Sequence, residues 1–246
     1  MKIGVSSVTI YPFDDWFEPP VSKDQHPAVV DALKYADESG IEDHEFFRIA
    51  ASSSTALRIW VSQELVVTGP FSQALLRLAA LLPNVHLRAM MMIVINGEHG
   101  RVVKQRAPGS HPWLLNQLRQ SMGIEKADVQ PLAETVEFLD ALDEEVKSPI
   151  SGLAATGIGN ERLILPEYTA VKNCFAACWP NSEYVRFLDA NIGEDMRHSE
   201  ILADVAAALI AQGADSQEYY DAARRSVDSR VRYYDRLVHH ASQGWQ

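Results

Sequence analysis

Asn191, Asp195 and His198 lie four and three residues apart in the segment Asn191-Ile-Gly-Glu-Asp-Met-Arg-His198. On a helix, that spacing sets all three side chains on one face. An amide, a carboxylate and an imidazole stacked this way make a face able to ligate a metal ion. Three further candidates sit upstream in helical surroundings: Glu98 in Asn-Gly-Glu-His-Gly (96–100), His111 in Ser-His-Pro-Trp (110–113) and Glu161 in Gly-Ile-Gly-Asn-Glu (157–161). Carboxylates and imidazoles supplied by separate helices, all facing into a bundle, hold nonheme iron for oxygen chemistry. The reading requires these residues to converge.

A carboxylate taken alone is ordinarily a solvated surface group. Glu134, Glu137, Asp140, Asp143, Glu144 and Glu145 fit that description, as the wet face of an amphipathic helix. Glu98 and Glu161 differ in their neighbours. Glu98 follows the apolar run Met90 to Ile95, and Glu161 ends a stretch of small residues that includes Gly152, Ala154, Ala155, Gly157 and Gly159. Both segments read as buried, and a buried ionised carboxylate requires a cation or a donor. His198 lies among Val185, Phe187, Leu188, Ile192, Ile201, Leu202, Val205 and Ala206. A lone histidine there needs only one or two hydrogen bonds, but Asp195 one turn earlier favours a ligand pair. His99 points to another helical face, and His239 and His240 read as surface residues.

Helical periodicity dominates the elements that must position these groups. Expected helices cover 26–38, 43–68 with a bend at Ser52-Ser-Ser54, 71–82, 85–96, 111–122, 129–146, 150–163, 166–179, 182–212 and 216–243. Gly69-Pro70, Pro83 and Pro166 are expected to separate neighbours, because proline is accepted at a helix start but not inside one. Strand signals are weak; Val5 to Tyr11 alternates loosely without a partner hairpin. The fold class is therefore all-α. Residues 1–25 are expected to form an N-terminal arm packed on the body, and residues 26–246 a single helical-bundle domain.

Composition narrows the partners. Hydrophobic residues make up 47% and charged residues 22%, enough for a continuous core. A formal charge of −11 argues against nucleic acid, whose binding relies on clustered Lys and Arg. The N-terminus lacks a signal-peptide core, and the apolar run Ala89 to Ile95 falls short of the about 20 residues a span needs. No membrane partner and a cytoplasmic location are expected. Cys174 and Cys178, the two cysteines, suit reduced thiols better than a disulfide framework.

The joint pattern resembles the heme-oxygenase-like diiron oxidases and oxygenases, also described as iron-containing redox enzymes. Three pieces, spread over roughly residues 45–210, carry the resemblance. An acidic-Gly helix end precedes a His-Pro-x-Leu start, here Glu98-His-Gly100 and His111-Pro-Trp-Leu114. A Gly-rich helix with a Glu precedes a Pro-x-Tyr step, here Glu161 and Pro166-Glu-Tyr168. A His-x3-Asp-x2-His helix follows, here Asn191-x3-Asp195-x2-His198.

The resemblance implies a heme-oxygenase-like helical bundle with Glu98, His111, Glu161, Asp195 and His198 as iron ligands, Glu98, Glu161, Asp195 and His198 being catalytic. Asn191 stands where the family has its first His, and an amide oxygen is a weaker ligand than imidazole. Fe(II) is thus expected at two per chain with one weakly held, and O2 as co-substrate.

The implied function is an O2-dependent nonheme iron oxidase or oxygenase of specialised metabolite biosynthesis. Its substrate is expected to be a small, amino-acid-like molecule undergoing N-oxygenation, desaturation or oxidative carbon-carbon cleavage. An external electron donor is the implied partner. Arg197 and Lys172, near the ligand helices, are candidate anchors for a substrate carboxylate. The alternatives are a metal-free enzyme of the same fold, either a cofactorless oxidase or a thiaminase-like hydrolase using Cys174 or Cys178, and a non-catalytic helical binding protein. The final helix has two readings, a core element or a homodimer interface.

Overall fold

The computed structural model describes residue 22 and residues 26–100, 103 and 107–243. The expected N-terminal arm and the Val5 to Tyr11 stretch lie outside the described residues. Within them the chain is all-α, with no strand. The helices are α1 (Pro27–Asp37), α2 (Glu45–Ala50), α3 (Ser54–Leu81), α4 (Val85–His99), α5 (His111–Ser121), α6 (Ala133–Glu145), α7 (Pro149–Thr156), α8 (Arg162–Cys178), α9 (Glu183–Ala211) and α10 (Ser216–Gln243). Helix α9 packs on α4, α5, α7 and α8, while α10 packs on α1, α2, α6 and α7. Their buried side chains form one hydrophobic cluster.

Local chemistry sets the ends that matter to the site. Asn84 caps α4 by accepting from Leu87 N at 3.0 Å, and Ser110 caps α5 by accepting from Trp113 N at 3.3 Å. Pro112, beside the cap, sits where its missing N–H is no loss. Gly100 ends α4 with φ +63°, a left-handed conformation that favours glycine. A Cβ on Gly100 would lie 2.8 Å from Ser110 N, so this glycine also lets the chain return closely to the start of α5. The end of α4 and the start of α5 are thereby held side by side.

Three expected breaks fall differently. The bend at Ser52 to Ser54 is a full interruption between α2 and α3, with Ser53 accepting from Ala56 N to cap the longer helix. Pro70, by contrast, lies inside α3. A proline in a helix interior costs about 3 kcal/mol, but Phe71, Leu75 and Leu78 beyond it are all buried. Each such side chain contributes about 1.5–3 kcal/mol, so packing outweighs the lost hydrogen bond. The same holds at Pro166, which lies inside α8 between the buried Leu163 and Val171. Between α7 and α8 the backbone does not stop; it widens into a π-helical turn over Gly157–Glu161. Helix α6 begins at Ala133 rather than at residue 129, after a short 3-10 turn at Lys126–Asp128.

Candidate metal centre

Four buried groups from three segments converge. Glu98 comes from the last turn of α4, Glu161 from the π-helical turn, and Asp195 and His198 from adjacent turns of α9. Their ligand atoms all lie within 4.8 Å of one another. His198 Nδ1 stands 3.3 Å from Asp195 Oδ1, 3.5 Å from Glu161 Oε2 and 3.7 Å from Glu98 Oε1. A π-helical turn inserts one residue into a helix and recurs at functional sites; here it delivers Glu161 to the cluster.

The close approach of α4 and α9 depends on Gly97. A Cβ built there would lie 2.5 Å from His198 Nε2 and 2.9 Å from Glu194 Oε2. With no side chain at 97, the imidazole lies against the α4 backbone and turns Nδ1 towards the carboxylates.

The separations bring charges into ion-pair range without hydrogen bonding. Both Oε atoms of Glu161, both Oδ atoms of Asp195 and Nδ1 of His198 are buried and have no hydrogen-bond partner. Buried polar atoms are nearly always satisfied, and an orphaned one calls for an explanation such as an ion. With one ligand atom each from Glu161, Asp195, His198 and Glu98 lying within 4.8 Å of one another, these orphaned groups fit a bound metal ion, and an oxygen-rich set with one imidazole suits a first-row divalent metal such as iron. The titration behaviour points the same way. Burial pushes Glu161 up to about 7, against the His198 contact and with the Glu98 charge adding to the rise. Burial and the Glu161 charge hold Asp195 well above its usual range. Burial alone would lower His198, but Asp195 and Glu161 outweigh it and push the imidazole up to about 10. Without a metal, the cluster retains protons that a cation would displace.

The remaining two candidates stand beside this group. His111, the first residue of α5, places Nδ1 2.9 Å from Glu98 Oε1. Burial would lower this imidazole too, yet the Glu98 carboxylate raises it overall. Asn191 is buried one turn before Asp195, and its Nδ2 donates to Phe187 O at 2.7 Å. That bond leaves Oδ1 as the atom able to face a ligand. Both residues line a cavity whose wall also includes Glu98; its enclosed free room is about 30 Å³, and about 410 Å³ is reached only when the open space at its mouth is included.

The profile of the iron-containing redox enzyme family matches residues 58–231, which span every residue of this cluster. The chain belongs to the iron-containing redox enzyme family. The family's heme-oxygenase-like bundle is the fold found here. Solved structures repeat the architecture at low identity. A CADD-like protein of unknown function from Nostoc punctiforme PCC 73102 superposes with TM-score 0.68 at 15% identity, over 89% of this chain and 97% of that one. A TenA homolog from Pseudomonas syringae pv. tomato str. DC3000 gives TM-score 0.68 at 14% identity, over 91% and 98%. A TenA homologue from Pyrococcus furiosus gives 0.63 at 11%, over 85% and 99%. No curated protein matches the sequence.

Lys172 pairs with Asp189 at 2.5 Å, outside the cavity wall, and Arg197 is exposed. Neither is placed to anchor a substrate in this cavity. His99 bonds Ser72 Oγ at 2.7 Å and Ile95 O at 2.8 Å, which ties α4 to α3. Cys174 and Cys178 are free thiols whose Sγ atoms donate to Phe47 O and Ala50 O. Burial pushes Cys174 up to about 11, which opposes a thiolate nucleophile. No helix among the described residues is long and apolar enough to cross a membrane. Helix α10 takes the core role, burying Tyr219, Tyr233 and Tyr234.

One group of residues escaped the sequence reading. Arg230 of α10 is buried between Glu64 of α3 and Glu167 of α8. Charged residues in the apolar register of a helix, Glu64 between Trp60 and Val67 and Arg230 between Val227 and Tyr234, are the signal that could have marked them.

Proposed function

We propose that this chain is a nonheme iron oxidoreductase that uses O2 on a small, amino-acid-like substrate in specialised metabolism. The observation that carries the reading is the convergence of orphaned Glu161, Asp195 and His198 atoms, with Glu98, beside a cavity. Membership of an iron-containing family supports iron as the metal. Ferrous iron held there would supply electron transfer to O2, which no side chain of this protein provides alone.

Glu98, Glu161, Asp195 and His198 Nδ1 would hold one ion, their three carboxylates offsetting its charge. His111 and Asn191 Oδ1, towards the cavity, would serve a second and weaker position. His111 contacts Glu98 at 2.9 Å and thereby fixes that carboxylate's orientation. With Nδ1 holding a proton against Glu98, Nε2 would be the His111 atom left for that second position. Val67, Phe71, Ile164 and Phe187 supply the cavity's apolar surface and limit water beside the reacting groups. An external reductant and the cytoplasm complete the reading.

The test is O2 consumption by the Fe(II)-loaded protein. An electrode trace on the wild type should show uptake that depends on iron and is lost in Glu161→Ala. Uptake equal to free Fe(II) in buffer, with no difference between wild type and variant, overturns the proposal.

A further inference from the structure

The cavity beside the metal centre has a second charged wall. Glu64, Arg230 and Tyr168 line it together with Glu98, His111 and Asn191. Arg230 brings one positive charge to two buried carboxylates, and it divides its bonds unequally. Glu167 accepts from Arg230 Nε at 2.9 Å and Nη2 at 2.5 Å, and from Tyr234 OH at 2.5 Å. Glu64 accepts one bond of 3.1 Å from Arg230 Nη2 and one of 3.1 Å from Tyr168 OH. Glu167 is neutralised by a two-bond fork, the strong geometry for this pair. Glu64 is left with the uncompensated charge, and it is only 2% exposed. An ionised carboxylate has about four acceptor positions, so two remain on Glu64.

The neutral groups of the cavity share the same character. Thr68 spends its hydroxyl hydrogen on Glu64 O at 2.6 Å. Asn160 Nδ2 donates to Ala155 O at 2.8 Å, and Asn191 Nδ2 to Phe187 O at 2.7 Å. A carbonyl only accepts, so each amide nitrogen must face its helix and each side-chain oxygen is left to accept elsewhere. Glu64, Thr68, Asn160 and Asn191 all line the cavity, and all offer it acceptors. A ligand matching this wall carries positive charge and several donors. An ammonium group has three N–H donors and no acceptor. A bare inorganic cation would want six or more oxygens around it, whereas Val67, Phe71, Ile164 and Phe187 form much of this cavity.

We propose that Glu64 is the recognition residue for a small primary amine, whose ammonium donates to Glu64 while its aliphatic carbons lie against Phe71 and Phe187. The inference deepens the metal-dependent reading above by naming the substrate class of that same cavity, and it rests on that reading for the amine's being a substrate. Burial also pushes the Glu64 carboxyl up to about 7 against the pull of Arg230, which is the behaviour of a group lacking its full complement of positive charge.

Calorimetry on the full chain loaded with Fe(II), under anaerobic conditions at about pH 8, where Glu64 is ionised and an alkylamine is still protonated, tests this with n-butylamine, 1-butanol and butyrate as probes. The wild type should bind the amine roughly tenfold or more tightly than the alcohol, as expected for one charge-assisted hydrogen bond. Glu64→Gln should erase that preference, and Glu64→Asp should keep part of it. Equal binding of amine and alcohol by the wild type overturns the inference, and this comparison needs no variant to fold. Amine binding that survives unchanged in a folded Glu64→Gln also overturns it. Iron content measured on the same samples separates the two claims. Iron bound with no amine preference sinks the recognition role alone, while amine preference without iron keeps it and removes the redox reading.

Discussion

His198 Nδ1 lies 3.3 Å from Asp195 Oδ1, one helical turn away, and the two atoms do not hydrogen-bond. A histidine and an aspartate within ion-pair range on one helix would ordinarily also align to hydrogen-bond. Here the ring is held by the α4 backbone at Gly97, and both groups aim at a point shared with Glu98 and Glu161.

Gly97→Ala should therefore weaken metal binding without unfolding the helix. Alanine favours a helix interior over glycine by about 1 kcal/mol, so α4 itself gains. The new Cβ would need to sit 2.5 Å from His198 Nε2, and the ring must move. Iron affinity should drop about tenfold or more, in keeping with lost ligand geometry, while circular dichroism stays that of the wild type. Unchanged iron affinity would show that the ring's position is set elsewhere.

The metal-free protein should lose stability as pH rises. Glu161 and Glu64 are each pushed up to about 7 in the fold, whereas an unfolded glutamate titrates near 4.3. A raised carboxyl favours the folded state below the unfolded pKa. That contribution is lost as pH climbs through the folded value. From these two groups, thermal midpoints should fall between about pH 4.5 and pH 7.5. Iron reverses the trend at Glu161, because it displaces protons and its affinity rises with pH. Melting curves with and without Fe(II) at both ends of this window check both signs.

Asn191→His should strengthen the weaker metal position. It places an imidazole one turn before Asp195, on the cavity wall where only an amide oxygen is now offered. Metal analysis should move towards two irons per chain. A stoichiometry identical to the wild type would mean that Asn191 does not limit the site.

Arg230→Met should be severely destabilising. Among the described residues it removes the one positive charge paired with Glu64 and Glu167, and breaking such a pair from one side costs about 3–5 kcal/mol. Urea denaturation measures the loss. A cost below about 1 kcal/mol would show that the two carboxyls simply protonate instead.

What the sequence disclosed about this site follows from the range of the interactions involved. The α9 face was legible because Asn191, Asp195 and His198 obey one helical spacing. Glu98 and Glu161 stood out because they end apolar or small-residue segments. Pro70 and Pro166 misled because local steric rules were outweighed by core packing on both sides of each proline. The π-helical turn was hidden for the opposite reason, since a single inserted residue leaves the composition of a Gly-rich helix unchanged. The Arg230 network joins residues up to 166 positions apart, and its partners become visible only when α3, α8 and α10 are packed.

Anaerobic Fe(II) titration with metal analysis, on the wild type and on Glu161→Ala and His198→Ala, addresses the site most directly. The wild type should bind at least one iron per chain tightly, with a second held more weakly, and both variants should lose the tight ion while remaining folded. No specific iron in the wild type, or tight iron retained in both variants, would contradict the assignment of this cluster as the metal centre.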